Sequence, residues 1–178
     1  IILTSSAASA TLVGEYTVSA GDTSTDLTVT SFVTASGQSV TDIYGNVMTA
    51  NTNPVGNNMS DNEAIVIDTQ AIFALGNATL VQNDGNGTAD LGDVLQFLFS
   101  EGVSNTVNLS NIFESGATYG STSAATTQWS SNGGRANSKL EVTLGEGETY
   151  SLEAITLTSV LDSAGNSSDL TYNVVLWL

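Results

Sequence analysis

The chain repeats itself, and it does so out of phase. Leu27-Thr-Val-Thr-Ser-Phe-Val33 followed by Asp42-Ile-Tyr-Gly-Asn46 recurs as Ile155-Thr-Leu-Thr-Ser-Val-Leu161 followed by Asp162-Ser-Ala-Gly-Asn166. Upstream, Tyr16-Thr-Val-Ser-Ala-Gly-Asp-Thr23 matches Val142-Thr-Leu-Gly-Glu-Gly-Glu-Thr149. The copies are offset by 120 to 128 residues, so 178 residues hold about one and a half modules, the half copy first. This predicts a partial module over 1–66 and a complete one over 67–178. The segment Thr34–Thr41 lengthens one connection of the first copy, which a surface turn tolerates. A half module leaves sheet edges and an apolar face open, a form that aggregates unless something covers it. The expectation is therefore completion by another molecule, or excision from a longer array. The start at Ile1 points the same way, to a processed or excised polypeptide.

The local pattern is β throughout. Tyr16–Val18, Leu27–Val29, Ala64–Ile67, Val94–Phe99, Leu140–Leu144, Ile155–Leu157 and Leu170–Leu178 are short β-branched or aromatic runs, most alternating apolar with polar. Gly, Asn, Asp and Ser separate them, supplying turn conformations. No segment carries a sustained helical stripe, and 111–114 reads as one helical turn at most. Many short strands with frequent turns indicate an all-β sandwich, and the complete module, at roughly 110 residues, has the size of an immunoglobulin-like one.

Composition narrows the function. Charged residues are 11% of the chain, and 18 Asp and Glu stand against Arg135 and Lys139, a formal net charge of −16. Nucleic-acid binding needs cations to neutralise phosphates, so that partner is excluded, and an anionic membrane surface would repel the chain. No apolar run is long enough to span a membrane. With neither Cys nor His, the chain can build no Cys–His or Ser-His-Asp arrangement and no zinc, copper or haem site of the usual kind. Paired carboxylates could hydrolyse glycosides only in a cleft with aromatic platforms, and Trp129 and Trp177 are more simply packing residues. The expectation is that the protein is not an enzyme.

The acids cluster with Asn and Gly in loops, which favours Ca²⁺ over surface charge alone. The leading candidate is Asn83-Asp-Gly-Asn-Gly-Thr-Ala-Asp-Leu-Gly-Asp93, with oxygen donors at Asp84, Asn86, Thr88, Asp90 and Asp93. It lacks the distal Glu of an EF-hand, and a polar turn ahead of the next strand is the competing reading. Asp42 and Asp162, each three residues before a Gly-Asn pair, read first as turn caps. A cation at the junction of modules, with Asp68 contributing, is the alternative, and Glu101, directly after the Val94–Ser100 strand, either helps there or faces solvent. Asn-x-Ser/Thr sequons begin at Asn58, Asn77, Asn86, Asn108 and Asn166.

Ile67-Asp-Thr69, the Asn83–Asp93 stretch, Phe97-Leu-Phe-Ser-Glu101 and Leu161-Asp-Ser-Ala-Gly-Asn166, in that order, resemble the Ig-like repeats of giant bacterial and archaeal surface proteins. The resemblance covers 67–178 and, as a partial module, 16–69. It implies an extracellular or cell-surface Ig-like β-sandwich of the adhesin, surface-layer or fibre type, often stiffened by calcium. The Pro common after the Ile-Asp-Thr element is absent here, and Gln70–Leu75 is apolar instead. Two functions follow as expectations. One is a subunit of a self-assembling filament or lattice, partnered by other copies of itself through donated strands, for which Ile1–Leu3, Gln70–Leu75 and Val174–Leu178 are candidates. The other is a spacer or binding segment of a calcium-dependent adhesin, with any host or surface glycan unspecified.

Overall fold

The computed structural model describes residues 1–5, 7–82, 84–109, 126–145 and 154–177. The expected turn at 111–114 lies outside them, as do Asn83, residues 146–149 of the upstream repeat element, and Leu178. The chain divides into two compact units, Ile1–Gln70 and Ala71–Leu178. The sequence reading put the boundary between 66 and 67.

In the second unit, β3 (Ala78–Val81), β4 (Val94–Leu98), β5 (Thr126–Asn132), β6 (Arg135–Thr143) and β9 (Val174–Trp177) form one sheet in the order β5-β6-β4-β3-β9. A second, two-stranded sheet joins β7 (Ile155–Leu161) to β8 (Ser167–Tyr172). All pairs are antiparallel except β3 with β9.

Alternation decides which side of each strand is inside. Ala78 and Leu80 of β3, Leu95 and Phe97 of β4, and Leu140 and Val142 of β6 share one buried core with Ile155, Leu157 and Val160 of β7 and Leu170 and Tyr172 of β8. Two sheets thus enclose a single apolar layer, a sandwich-like arrangement. Each fully buried aliphatic or aromatic side chain contributes about 1.5–3 kcal/mol towards holding the layers together. Tyr172 ties them by a polar link as well. Its ring meets Phe97 edge-on at 5.2 Å, and its hydroxyl donates to the Leu98 carbonyl at 2.8 Å. The low-dielectric surroundings push its phenol pKa well above the usual tyrosine range.

Strict alternation fails once in β7, and the exception explains itself. The inward residues are 155, 157 and 160, because the register to β8 shifts between Leu157 and Val160. Ser159 takes φ 52°, its N–H donates to Asp169 Oδ1 at 2.8 Å, and its carbonyl accepts from Asn105 Nδ2 at 2.8 Å. The bulge keeps Ser159 outside and returns Val160 to the core. Asn105 Oδ1 also accepts from Leu161 N–H, and the Ser104 N–H donates to Leu161 O, so residues 103–107 line the edge of β7. The β5–β6 hairpin turns through Gly133 and Gly134, both at positive φ (58° and 81°), the two-residue geometry a twisted hairpin favours.

Two segments expected to be available for donation are committed within this unit. Val174–Trp177 extends the sheet alongside β3, with Val174 opposite Ala78 and Trp177 opposite Val81. Residues 72–75 run along the end of β4: Ile72 is fully buried, Ser100 N–H donates to Phe73 O, and Leu75 N–H to Leu98 O. Trp129 packs against the core beside Phe99, whereas Trp177 is 68% exposed on the edge strand.

The first unit is built differently. Its strands are β1 (Thr23–Ser24) and β2 (Ile67–Asp68), paired antiparallel, and its helix is the single turn α1 (Met59–Asn62), closed by a capping box of Asn58 and Asp61. Tyr16–Val18 and Leu27–Val29 do not form regular strands. Leu27 N–H donates to Ile65 O, and the Asn58 amide both accepts from Val29 N–H and donates to Val29 O, standing in for a neighbouring strand. Among the described residues of this unit only Ile67 is buried. Backbone runs with high β propensity need a layer to pack on before they become strands.

Candidate functional site

The loop joining β3 to β4 gathers the oxygen-rich residues that the sequence singles out. Asp84, Asp90 and Asp93 each present a carboxylate oxygen within 4.8 Å of the other two. Gly85 and Gly87 adopt positive φ (70° and 83°), which folds the chain back so that residues two and four apart face one another. Asn86 lies between the acids: its Nδ2 donates to Asp84 Oδ2 and to Asp90 Oδ2, both at 2.7 Å. Thr88 donates from its hydroxyl to Asn86 Oδ1 and to Asp90 Oδ2. Gln82 braces the loop from outside, donating to Thr88 O and accepting from Gly87 N–H.

Burial is graded across the cluster. Asp84 is exposed, Asp90 half-buried and Asp93 fully buried at the entry to β4. Asp93 holds its place by backbone pairing with Leu144 (2.8 Å from Leu144 N–H), and its carboxylate accepts from Asp90 N–H at 3.2 Å. Three carboxylates, one amide oxygen and one hydroxyl on a tight loop are the donor set of a hard cation that takes oxygen ligands at about 2.3–2.6 Å.

The other residues singled out do not join this cluster. Asp42 and Asp162 sit in separate units and make the same turn. Asp42 N–H donates to Asn46 O (3.0 Å), and its carboxylate accepts from Asn46 N–H (2.9 Å) and Nδ2 (2.7 Å). Asp162 N–H donates to Asn166 O (3.1 Å), and its carboxylate accepts from Asn166 N–H and Nδ2, both at 2.8 Å. Gly45 and Gly165 provide the left-handed residue at φ 85° and 91°. The Asn46 amide and N–H hold the Asp42 carboxyl below its ordinary pKa. Environment separates the two turns: Asp42 is exposed, Asp162 only 1% so. Asp68 is on β2 of the first unit, accepting from Gln70 N–H at 3.1 Å, and Glu101 belongs to the second.

Sequence reasoning missed the side chains that staple backbone: Asn58 on Val29, Asn105 and Asp169 around Ser159, and Ser138. Ser138 is fully buried with its hydroxyl bonded to Asn132 O and Arg135 O. Only Asn58 carried a signal, the Asn-x-x-Asp of a capping box. No described helix is long and apolar enough to cross a membrane. Compared with family models, curated proteins and solved structures, the chain matches none of them.

Proposed function

We propose that this is an extracellular, non-catalytic structural protein built from Ig-like sandwich modules, a subunit of a filament or surface lattice in which neighbouring copies complete the first unit by donating strands. The observation that carries the reading is a contrast between equivalent residues. Ile155, Leu157 and Val160 are fully buried in the second unit, while Leu27, Val29 and Phe32, at the same places of the repeat, are only half-buried. Exposed apolar residues of the same unit include Val33, Val47 and Met48. Surface of that kind marks an interaction site or an aggregation hazard. Of the three candidate donors, Ile1–Leu3 has no strand partner among the described residues beyond the Thr4–Val13 bridge next to it. Electron microscopy of the purified chain tests the reading: ordered polymers support it, and a monodisperse monomer at all concentrations overturns it.

A second reading is favoured by one observation. The apolar side of the large sheet is already fully occupied by β7 and β8, which suits a spacer or binding segment of a calcium-dependent adhesin whose adjoining module covers the first unit.

In both readings Ca²⁺ binds the Asp84–Asp90–Asp93 loop, with Asn86 turning its amide oxygen inward and Thr88 adding its hydroxyl. Binding to the folded state alone raises stability by about 2.7 kcal/mol at a hundred-fold excess over Kd. The expected outcome is a melting temperature of the second unit that rises with Ca²⁺, falls back with chelator, and no longer responds in an Asp84→Asn/Asp90→Asn variant. A calcium-independent melt contradicts the assignment.

A further inference from the structure

We propose that Asn77 carries an N-linked glycan, taken from a lipid-linked glycosyl phosphate, and that this glycan lies over the outer face of the large sheet beside β9. Such glycans are added on the export route, so the inference rests on the extracellular reading and adds to it a modification of the second unit.

The chain holds five Asn-x-Ser/Thr acceptors, and hydrogen bonding sorts them. Transfer joins the sugar's anomeric carbon to the Asn Nδ2. The bond from that carbon to the phosphate oxygen breaks, the phosphate leaves with the electron pair, and one amide proton passes to a base of the transferase. Of the two N–H donors of the side chain, one remains. An Asn whose amide holds the fold in place is therefore a poor carrier. Asn86 uses both donors, on Asp84 Oδ2 and Asp90 Oδ2. Asn58 and Asn166 are half-buried, and their Nδ2 groups donate to Val29 O at 2.7 Å and to Asp162 Oδ2 at 2.8 Å. A sugar on either would press on the backbone that the amide secures. The acceptor at Asn108 ends at Ser110, outside the described residues.

Asn77 differs on each count. It is exposed, and among the described residues its side-chain amide makes no hydrogen bond. Gly76 before it takes φ 81°, and a Cβ placed there would meet no atom within 4 Å, so the turn opens to solvent. Ala78 N–H donates to Asn173 O at 2.9 Å, which anchors the backbone on one side of Asn77 without engaging its side chain. The hydroxyl residue of the acceptor, Thr79, lies on the face of β3 opposite Ala78 and Leu80, which are buried.

That outer face is where a glycan is useful. Thr79 stands opposite Val175 and Val81 opposite Trp177, so β9 turns two apolar residues to this side, 39% and 68% exposed. Residues 170–178 contain no charge, and an uncharged apolar edge strand invites pairing with other chains unless it is shielded. A bulky, hydrated chain rooted at the start of the neighbouring strand supplies that shield.

The test is the full chain secreted from a eukaryotic host cell, with its glycans released by an amidase in heavy-oxygen water, which marks every carrier Asn as labelled Asp. The expected result is label at Asn77 in most secreted copies and at Asn58, Asn86 and Asn166 in few. Asn77→Gln and Thr79→Ala are each expected to lose one glycan from the intact mass, and Thr79→Ser to regain it, with near-ultraviolet dichroism unchanged throughout. An unlabelled Asn77 overturns the inference, and so does label at Asn58 or Asn166 as frequent as at Asn77. Polymerisation is scored separately, on chain made in a host without a glycosylating pathway. A monomer there removes the filament and leaves the Asn77 glycan standing, whereas polymers together with an unlabelled Asn77 remove the glycan and leave the filament.

Discussion

The chain makes the same Asp-x-x-Gly-Asn turn twice, in two different settings. Around Asp162 the turn joins two strands whose inner side chains are sealed, and Ser104 reaches in to donate to its carbonyl. Around Asp42 the hydrogen bonds match to within about a tenth of an ångström at the carboxylate, yet the turn and the segments on either side stand in water. The difference teaches where each level of structure comes from. Turn geometry is a local property of Asp, Gly and Asn, and it survives without a core. Strands do not: 155–161 is a seven-residue strand, whereas 27–33 has no regular ladder. The missing ingredient is a packing partner, which short-range sequence cannot supply.

Core truncation should divide the units most sharply. Leu157→Ala removes a fully buried side chain and is expected to cost about 2–5 kcal/mol in urea unfolding of the second unit. Val29→Ala, its counterpart, is expected to shift the same transition by less than about 0.5 kcal/mol. Equal costs would break the comparison.

The turns provide a finer contrast. Asp162→Ala removes a buried carboxylate that accepts two hydrogen bonds from half-buried Asn166, a loss of about 1–3 kcal/mol. Asp42→Ala, at an exposed turn, is expected to leave global unfolding unchanged and to speed amide exchange at Tyr44 and Asn46 alone.

The smallest effect is a matter of pH. Asp42 has a folded pKa below its ordinary value of 3.8, held down by Asn46. Asp22 is also lowered, by the Ser19 N–H and then the Tyr16 hydroxyl. A lowered carboxylate pKa contributes stability that is fully present above the ordinary value and is lost as pH falls through the folded one. Both local structures should therefore hold at pH 5 and loosen below pH 3.8, read as collapse of the chemical-shift dispersion of Tyr44, Asn46 and Ser19. A loosening already complete at pH 5 would contradict the assigned hydrogen bonds.

Much of the second unit was legible from the residues. Val94–Phe99, Leu140–Leu144 and Ile155–Leu157 alternate clearly, and each is a buried strand. The polar edge strand Thr126–Asn132 was not, because Trp129 is the only large apolar residue it presents; its clue was the Gly133–Gly134 turn that follows. Nor was the parallel placement of Val174–Trp177, since nothing local distinguishes a strand that closes a sheet from one held free. In the candidate site the Asp, Asn and Gly spacing announced a folded-back polar loop. The gradient from exposed Asp84 to buried Asp93 was hidden, because it depends on where Leu144 comes to lie.

The central claim is that the first unit, in which only Ile67 is buried among the described residues, has no sealed apolar layer of its own. Amide hydrogen exchange on the full chain, read residue by residue, tests it most directly. The account predicts that Leu157, Val160 and Leu170 are protected by orders of magnitude more than Val29, Phe32 and Met48, whose N–H groups bond to Asn58 Oδ1, Asn51 O and Val40 O with no sealed apolar layer around them. Comparable protection across both sets would show that the first unit has a core of its own, and would contradict it.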